Sequence, residues 1–194
     1  MSRQYESGTS LQQKVLKGAN VLADNVASTL GPRGRNVILH VKQGQDNPII
    51  TKDGVTVAKF VELEDPFENV GAQIIKQAAA KTNSEAGDGT TTSTVLTRAI
   101  LNQSQRYLMA GAAPVELKRG MDKAVQKIVY NLQEMSTPIM SEEDVAHIAT
   151  ISANGDETVG KLIASAVDLA GKDGAITIRH LNTLDAADDI RRGA

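Results

Sequence analysis

The chain has 194 residues, enough for one ordinary domain or one plus a small appendage, and at 41% apolar but only 3% aromatic its core is one of Ala, Val, Ile and Leu. A formal net charge of −2 argues against a partner held through nucleic-acid phosphates, and the lack of Cys removes a disulfide frame and thiolate chemistry and fits a reducing cytoplasm. No stretch approaches the length of a membrane span, and the polar start Met1-Ser2-Arg3-Gln4-Tyr5-Glu6 predicts no secretory leader.

Residues 1–8 read as a loose or strand-like arm. Thr9 with Gln12, or Ser10 with Gln13, offers a capping box. The helix behind it is expected to run to about Thr29, with Leu11, Val15, Ala19, Leu22, Val26 and Leu30 on one face. Gly31-Pro32-Arg33-Gly34 ends it. Val37 to Val41 reads as a strand, residues 43–48 as a turn and Ile49-Ile50-Thr51 as a second strand, together a hairpin whose edges need a partner. Val55 to Lys59 opens either a helix or a strand. Asp65-Pro66-Phe67-Glu68 is a helix start, with an Asp cap and Pro at the first position, and Phe67, Val70, Ile74, Ala78 and Thr82 share a face.

A further helix follows Thr90 and runs to about Ala110, with Val95, Leu96, Ala99, Ile100 and Gln103 at helical spacing. After the break at Gly111 to Pro114 another helix carries Leu117, Met121, Ala124, Val125, Ile128 and Leu132. Ser136-Thr137-Pro138 reads as a domain boundary. Ser141 caps a short helix bearing Val145, Ile148 and Ile151. Asn154-Gly155-Asp156 starts the next, with Val159, Leu162, Ile163, Ala166 and Val167 inward. Ala175 to Ile178 reads as a short strand, and residues 179–194 show no period.

Gly87-Asp88-Gly89-Thr90-Thr91-Thr92 separates two helical patterns and opens the second. Free N–H groups and the positive dipole end suit such a place to an anion. The glycines admit a phosphate close to the backbone, three hydroxyls can donate to it, and Asp88 is a hard oxygen ligand suited to nucleotide-borne Mg²⁺. Of two other polar turns, Thr29-Leu30-Gly31-Pro32 reads singly as a helix C-terminus and Thr51-Lys52-Asp53-Gly54 as a turn with a surface ion pair. Together the three supply backbone N–H groups, a cation and two carboxylates, a set fit for a nucleoside triphosphate with its metal. The Walker pattern and G-x-G-x-x-G are absent, His40, His147 and His180 show no ligand spacing, and there is no G-x-S-x-G. A small helical phosphotransferase would use the same turn, but no acceptor base or second substrate site is legible.

Thr29 to Val37, Thr51 to Val55, Glu62 to Asp65 with Gly71-Ala72, Ala86 to Thr92, Leu117 to Gly120, and Ile151 to Asn154 with Gly160-Lys161 resemble, in order and spacing, the group I (GroEL-type) chaperonin subunit over about residues 9–178. The resemblance implies a mainly α fold. Residues 1–136 correspond to part of an equatorial ATP-binding domain, a helical bundle with a small β-hairpin, and residues 137–178 to the ascending part of the intermediate domain. It implies ATP and Mg²⁺ as cofactors. Thr29, Leu30, Gly31 and Pro32 line the nucleotide, Lys52 and Asp53 lie beside the phosphates with Asp53 near the attacking water, Asp88 holds Mg²⁺, and Gly89, Thr90, Thr91 and Thr92 wrap the phosphates. The hairpin from Val37 to Thr51 meets a neighbouring subunit in a homo-oligomeric ring, heptameric in the family. The family's co-chaperonin lid and unfolded polypeptides bind an apical domain that this sequence does not contain, and neither nucleic acid nor membrane is an expected partner.

Residues 179–194 depart from the family pattern. Arg179-His180-Leu181 stands where acidic residues usually continue, which raises the expectation of a truncated or frame-shifted product, or a partial gene, with the break near Ile178. The expected consequence is exposure of the apolar faces of the Leu11–Leu30 and Ala113–Leu132 helices, marginal stability and a tendency to associate. Two functional expectations follow: an ATP-dependent folding chaperonin subunit, or a chaperonin remnant that binds nucleotide without folding or ATPase activity of its own.

Overall fold

The computed structural model describes residues 4–40, 48–153, 155–171 and 174–177. Among them it is mainly helical with one two-stranded sheet. In order come α1 (Gly8–Ala27), β1 (Val37–Leu39), β2 (Ile49–Thr51), α2 (Gly54–Phe60), α3 (Pro66–Ala86), α4 (Thr90–Met109), α5 (Pro114–Met135), α6 (Glu142–Ser152) and α7 (Glu157–Ala170). The chain forms two compact units, Met1–Val125 and Gln126–Ala194.

The first unit is built on α1. Its core joins Ala19, Leu22 and Val26 of α1 to Val57 and Ala58 of α2 and to Ala72 and Ile75 of α3, with Val37, Val61, Leu63 and Leu101 against the margin. Glycines set how closely α1 and α3 cross. A Cβ at Gly18 would overlap the Glu68 carbonyl, and one at Gly71 would overlap the Val15 carbonyl. Backbone therefore meets backbone on both sides of the crossing. Each large apolar side chain buried there contributes about 1.5–3 kcal/mol. The partly exposed pairs Lys14–Asp65 at 3.1 Å and Lys17–Glu68 at 2.6 Å add little beside that, but they tie the start of α3 to the middle of α1.

This close crossing corrects the expected faces. On α3 the buried stripe is Gly71, Ala72, Ile75 and Ala79, whereas Val70 and Ile74 are 48% and 37% exposed. Small residues face the partner because the axes are too near for larger ones. On α4 the buried positions are Thr90 and Thr94, and Leu96, Ala99, Ile100 and Gln103 are exposed. The expected capping box of α1 is also corrected. The helix begins two or three residues earlier, at Gly8, with no side-chain cap, and Ser10 donates instead to Glu6. Leu30 lies past the helix end and is exposed.

Val55 to Lys59 resolves as helix because Asp53 caps it, accepting from the Val55 N–H at 3.1 Å and the Thr56 N–H at 2.9 Å. The hairpin is antiparallel, with Val37 opposite Thr51 and Leu39 opposite Ile49. Along β1 the alternation is regular: Val37 is half-buried, Ile38 exposed and Leu39 buried. The strand stops at Leu39, short of the expected Val41, which with the turn at 43–47 lies outside the described residues.

α5 has no buried residue along its 22 positions. Val125, Ile128, Val129 and Leu132 are each about half exposed. In the second unit α6 and α7 form an antiparallel helical pair. Ser141 and Asp144 close a capping box on α6, and Asp156 caps α7. Gly160 presses on Thr150, so that Ala149, Gly160 and Ala164 are buried there. Of the residues expected inward on α7, Ile163, Ala166 and Val167 are half-buried while Val159 and Leu162 stay exposed, as do Ile148 and Ile151 of α6. Residues 174–177 form no strand; among the described residues no neighbouring strand offers them a ladder. Asn154, Ile178 and the sequence beyond it lie outside the described residues.

Candidate functional site

Each of the three polar turns stands at a helix terminus. The first leaves α1. Thr29 is buried and its hydroxyl donates to the Val26 carbonyl at 2.8 Å. Gly31 takes a left-handed φ of 73°, and the Arg35 N–H returns to the Ser28 carbonyl at 2.8 Å. The turn is thus closed on itself, leaving Leu30, Gly31 and Pro32 exposed on its outer side.

The second turn enters α2. The Asp53 N–H donates to the Thr51 hydroxyl at 2.9 Å, and the Asp53 carboxylate accepts from the Thr56 hydroxyl as well as from the two backbone groups of the cap. Partial desolvation raises the Asp53 pKa, but the Thr56 hydroxyl, the Thr56 and Val55 N–H groups and the Lys59 charge outweigh it and hold the carboxyl below its usual range. Lys52 beside it is exposed.

The third turn joins α3 to α4. Gly87 and Gly89 both take left-handed φ, 71° and 81°, a conformation that costs other residues energy. Asp88 between them is exposed and accepts from the Gly89 N–H at 2.5 Å. Gly89 is the N-cap of α4 and has no side chain to offer, so no side-chain cap takes the first-turn N–H groups of α4. In contrast, α2, α3, α6 and α7 each carry an Asp or Ser cap bonded to those groups.

Gly54 brings the second and third turns together against the last turn of α1. A Cβ there would overlap the Thr91 hydroxyl and come within 3.2 Å of Val26 Cγ1. The first residue of α2, the second residue of α4 and the last turn of α1 therefore share one point of contact. Asp53 precedes that point, Thr90 and Thr92 flank it, and Thr29 follows Val26 by three residues. Gly54 belongs to the sequence pattern but was not singled out as a site residue, and its packing role has a signal: a glycine directly behind an Asp cap, where any residue would satisfy the helix. Thr56, which fixes the Asp53 carboxylate, is marked by its position three residues after the cap.

The sequence matches the TCP-1/cpn60 chaperonin family over residues 22–187. The chain belongs to that family. The matched span runs past Ile178, where the motif-by-motif resemblance ends. Among solved structures the chain is similar to the chaperonin gp146 from bacteriophage EL 2 (Pseudomonas aeruginosa), crystallised in the presence of ATP-BeFx. The two are 29% identical with a TM-score of 0.68, over 81% of this chain and 28% of that one. The chain thus spans about a quarter of the length of the chaperonin it matches. Mainly helical architecture with a small antiparallel hairpin agrees with the chaperonin fold expected from the motifs.

Among the described residues no three His, Asp or Glu side chains gather to hold a metal ion. The donor set still fits a nucleotide-borne Mg²⁺, which binds through one or two carboxylates with phosphate and water oxygens completing the shell. Two open grooves, of about 410 and 290 Å³, belong to the α6–α7 unit and contain none of the turn residues. No helix among the described residues is long and apolar enough to cross a membrane.

Proposed function

We propose that this chaperonin-family chain binds ATP with Mg²⁺ at the junction of the three turns and serves as part of an ATP-dependent chaperonin subunit. The observation that carries the reading is the contact of Gly54 with Thr91 and Val26, which draws the α1, α2 and α4 termini to one place. The start of α4 supports it, because its N-cap glycine has no side chain to accept and N–H groups at a helix N-terminus favour a phosphate. Family membership and the ATP-BeFx present with the phage chaperonin add to it.

In this reading Thr29, Leu30, Gly31 and Pro32 line the nucleotide. Gly89, Thr90, Thr91 and Thr92 wrap the phosphates, Lys52 offsets their charge, and Asp88 supplies the carboxylate to Mg²⁺, whose charge would stabilise the leaving phosphate. Asp53 is the catalytic candidate. A carboxylate held below its usual range is a weak base, so its contribution is to orient the attacking water by accepting a hydrogen bond rather than to remove a proton early. The assembly proposed is a homo-oligomeric ring, heptameric as in the group I family, in the cytoplasm. The exposed Ile38, Ile49 and Ile50 of the hairpin are the edge offered to the neighbour. Lid and unfolded-polypeptide binding belong to the whole protein.

The second reading, nucleotide binding without turnover, is favoured by α5, which buries none of its residues. Labelled-ATP binding and steady-state hydrolysis on the purified chain separate the two. Turnover that D53A abolishes while binding persists supports the first reading, and binding without turnover supports the second. Loss of neither property in D88A contradicts the shared site.

A further inference from the structure

Where α1 lies along α4, three polar pairs form a ladder: Gln12 with Gln105 at 3.0 Å, Asn20 with Asn102, and Asp24 with Arg98. The pairing is antiparallel, so the end of α1 and the start of α4 lie toward the same end of the seam. The middle rung differs from the others. Asn20 and Asn102 are both half-buried, and each amide donates to the other's oxygen, at 2.8 and 3.4 Å. Around it α1 presents Ala19, Leu22, Ala23 and Val26, and α4 presents Leu101. Such contacts are non-directional and do not by themselves distinguish one helical register from another. A reciprocal amide pair does, because any slide leaves both amides unpaired in a partly dry seam.

We propose that Asn20 and Asn102 are positioning residues that fix the register of α4 on α1, and through it the separation of the Thr29–Pro32 turn from the Gly89–Thr92 turn. The nucleotide part of this inference rests on the proposed function. The sequence has no Cys, so spin labels placed on S28C and Q103C of the 194-residue chain read the α1–α4 register directly. The N20L/N102L variant removes both amides without leaving one orphaned, and N20A/N102A does so without new bulk.

The expected result is that these variants melt at or near the parent temperature. Their label distances broaden or gain a second population displaced by about 5 Å, one helical turn. Their affinity for ATP with Mg²⁺ falls by about fivefold or more, the size of an ordinary coupling between neighbouring groups. Parent-like distances in both double variants overturn the proposal, as do shifted distances with unchanged affinity. If the parent itself fails to bind ATP, the nucleotide reading falls, and the label distances alone decide whether the pair sets the register.

Discussion

α1 and α5 are of similar length and equally amphipathic to the eye, yet only one of them has buried residues. Gly18, Ala19, Leu22, Ala23 and Val26 of α1 are buried, whereas α5 buries nothing. Exposure was expected of both faces, and for α1 that expectation fails. The difference lies in what the neighbours supply. α1 has a glycine at its crossing with α3 and α3 answers with another, so two backbones touch and the small side chains beside them are sealed. Helical spacing announces that a face wants covering, but the cover itself is a property of some other stretch.

The glycines separate the two helices most strongly. Gly71→Ala puts a Cβ into the Val15 carbonyl and is expected to destabilise the first unit by about 3 kcal/mol or more, since backbone cannot yield as a side chain can. Gly120→Ala on α5 meets nothing within 4 Å and is expected to act in the opposite direction, stabilising by about 0.5–1 kcal/mol through helix propensity. Urea unfolding followed by circular dichroism reads both, and the same sign for the two would break the contrast.

Next in size, Leu22→Ala is expected to cost about 2–5 kcal/mol by leaving a cavity among Val26, Val57 and Ile75. Leu132→Ala, on a residue already 59% exposed, should stay within about 0.5 kcal/mol.

The smallest effect is acid sensitivity, which the two units share. Asp65 is held below its usual range by the Glu68 N–H and by Lys14, and Asp144 by the Met140 N–H and the Ser141 hydroxyl. A depressed carboxyl stabilises the fold above its unfolded pKa and loses that contribution as pH falls through the lower folded value. Melting temperatures should therefore drop as pH falls below the ordinary carboxylate range, and Asp65→Asn should flatten that slope for the first unit. An unchanged slope in the variant would remove Asp65 from the account.

Much of this arrangement can be read from residues alone. Asp65-Pro66 and Gly87 bound α3 where a cap, a first-position proline and a left-handed glycine must stand. The faces were harder. Periodicity weights large residues, so Val70 and Ile74 drew attention while Gly71, Ala72 and Ala79 made the contact; Gly160 and Ala164 repeat this on α7. A helix that approaches closely hides its small residues, and no pattern of large ones reports it. At the site, glycines, threonines and carboxylates marked all three turns. What stayed hidden was their meeting point, because Gly54 against Thr91 and Val26 joins residues far apart in the chain. The Asn20–Asn102 pair was equally silent, since either amide alone reads as a solvated helix position.

If one guest is gripped by all three turns at once, amide chemical shifts report it. On titration of the isotopically labelled chain with ATP and Mg²⁺, the N–H signals of Thr29 to Gly31, Lys52 to Gly54 and Asp88 to Thr92 should move together along one saturation curve. Movement of only one of these groups, or different midpoints for each, would contradict it.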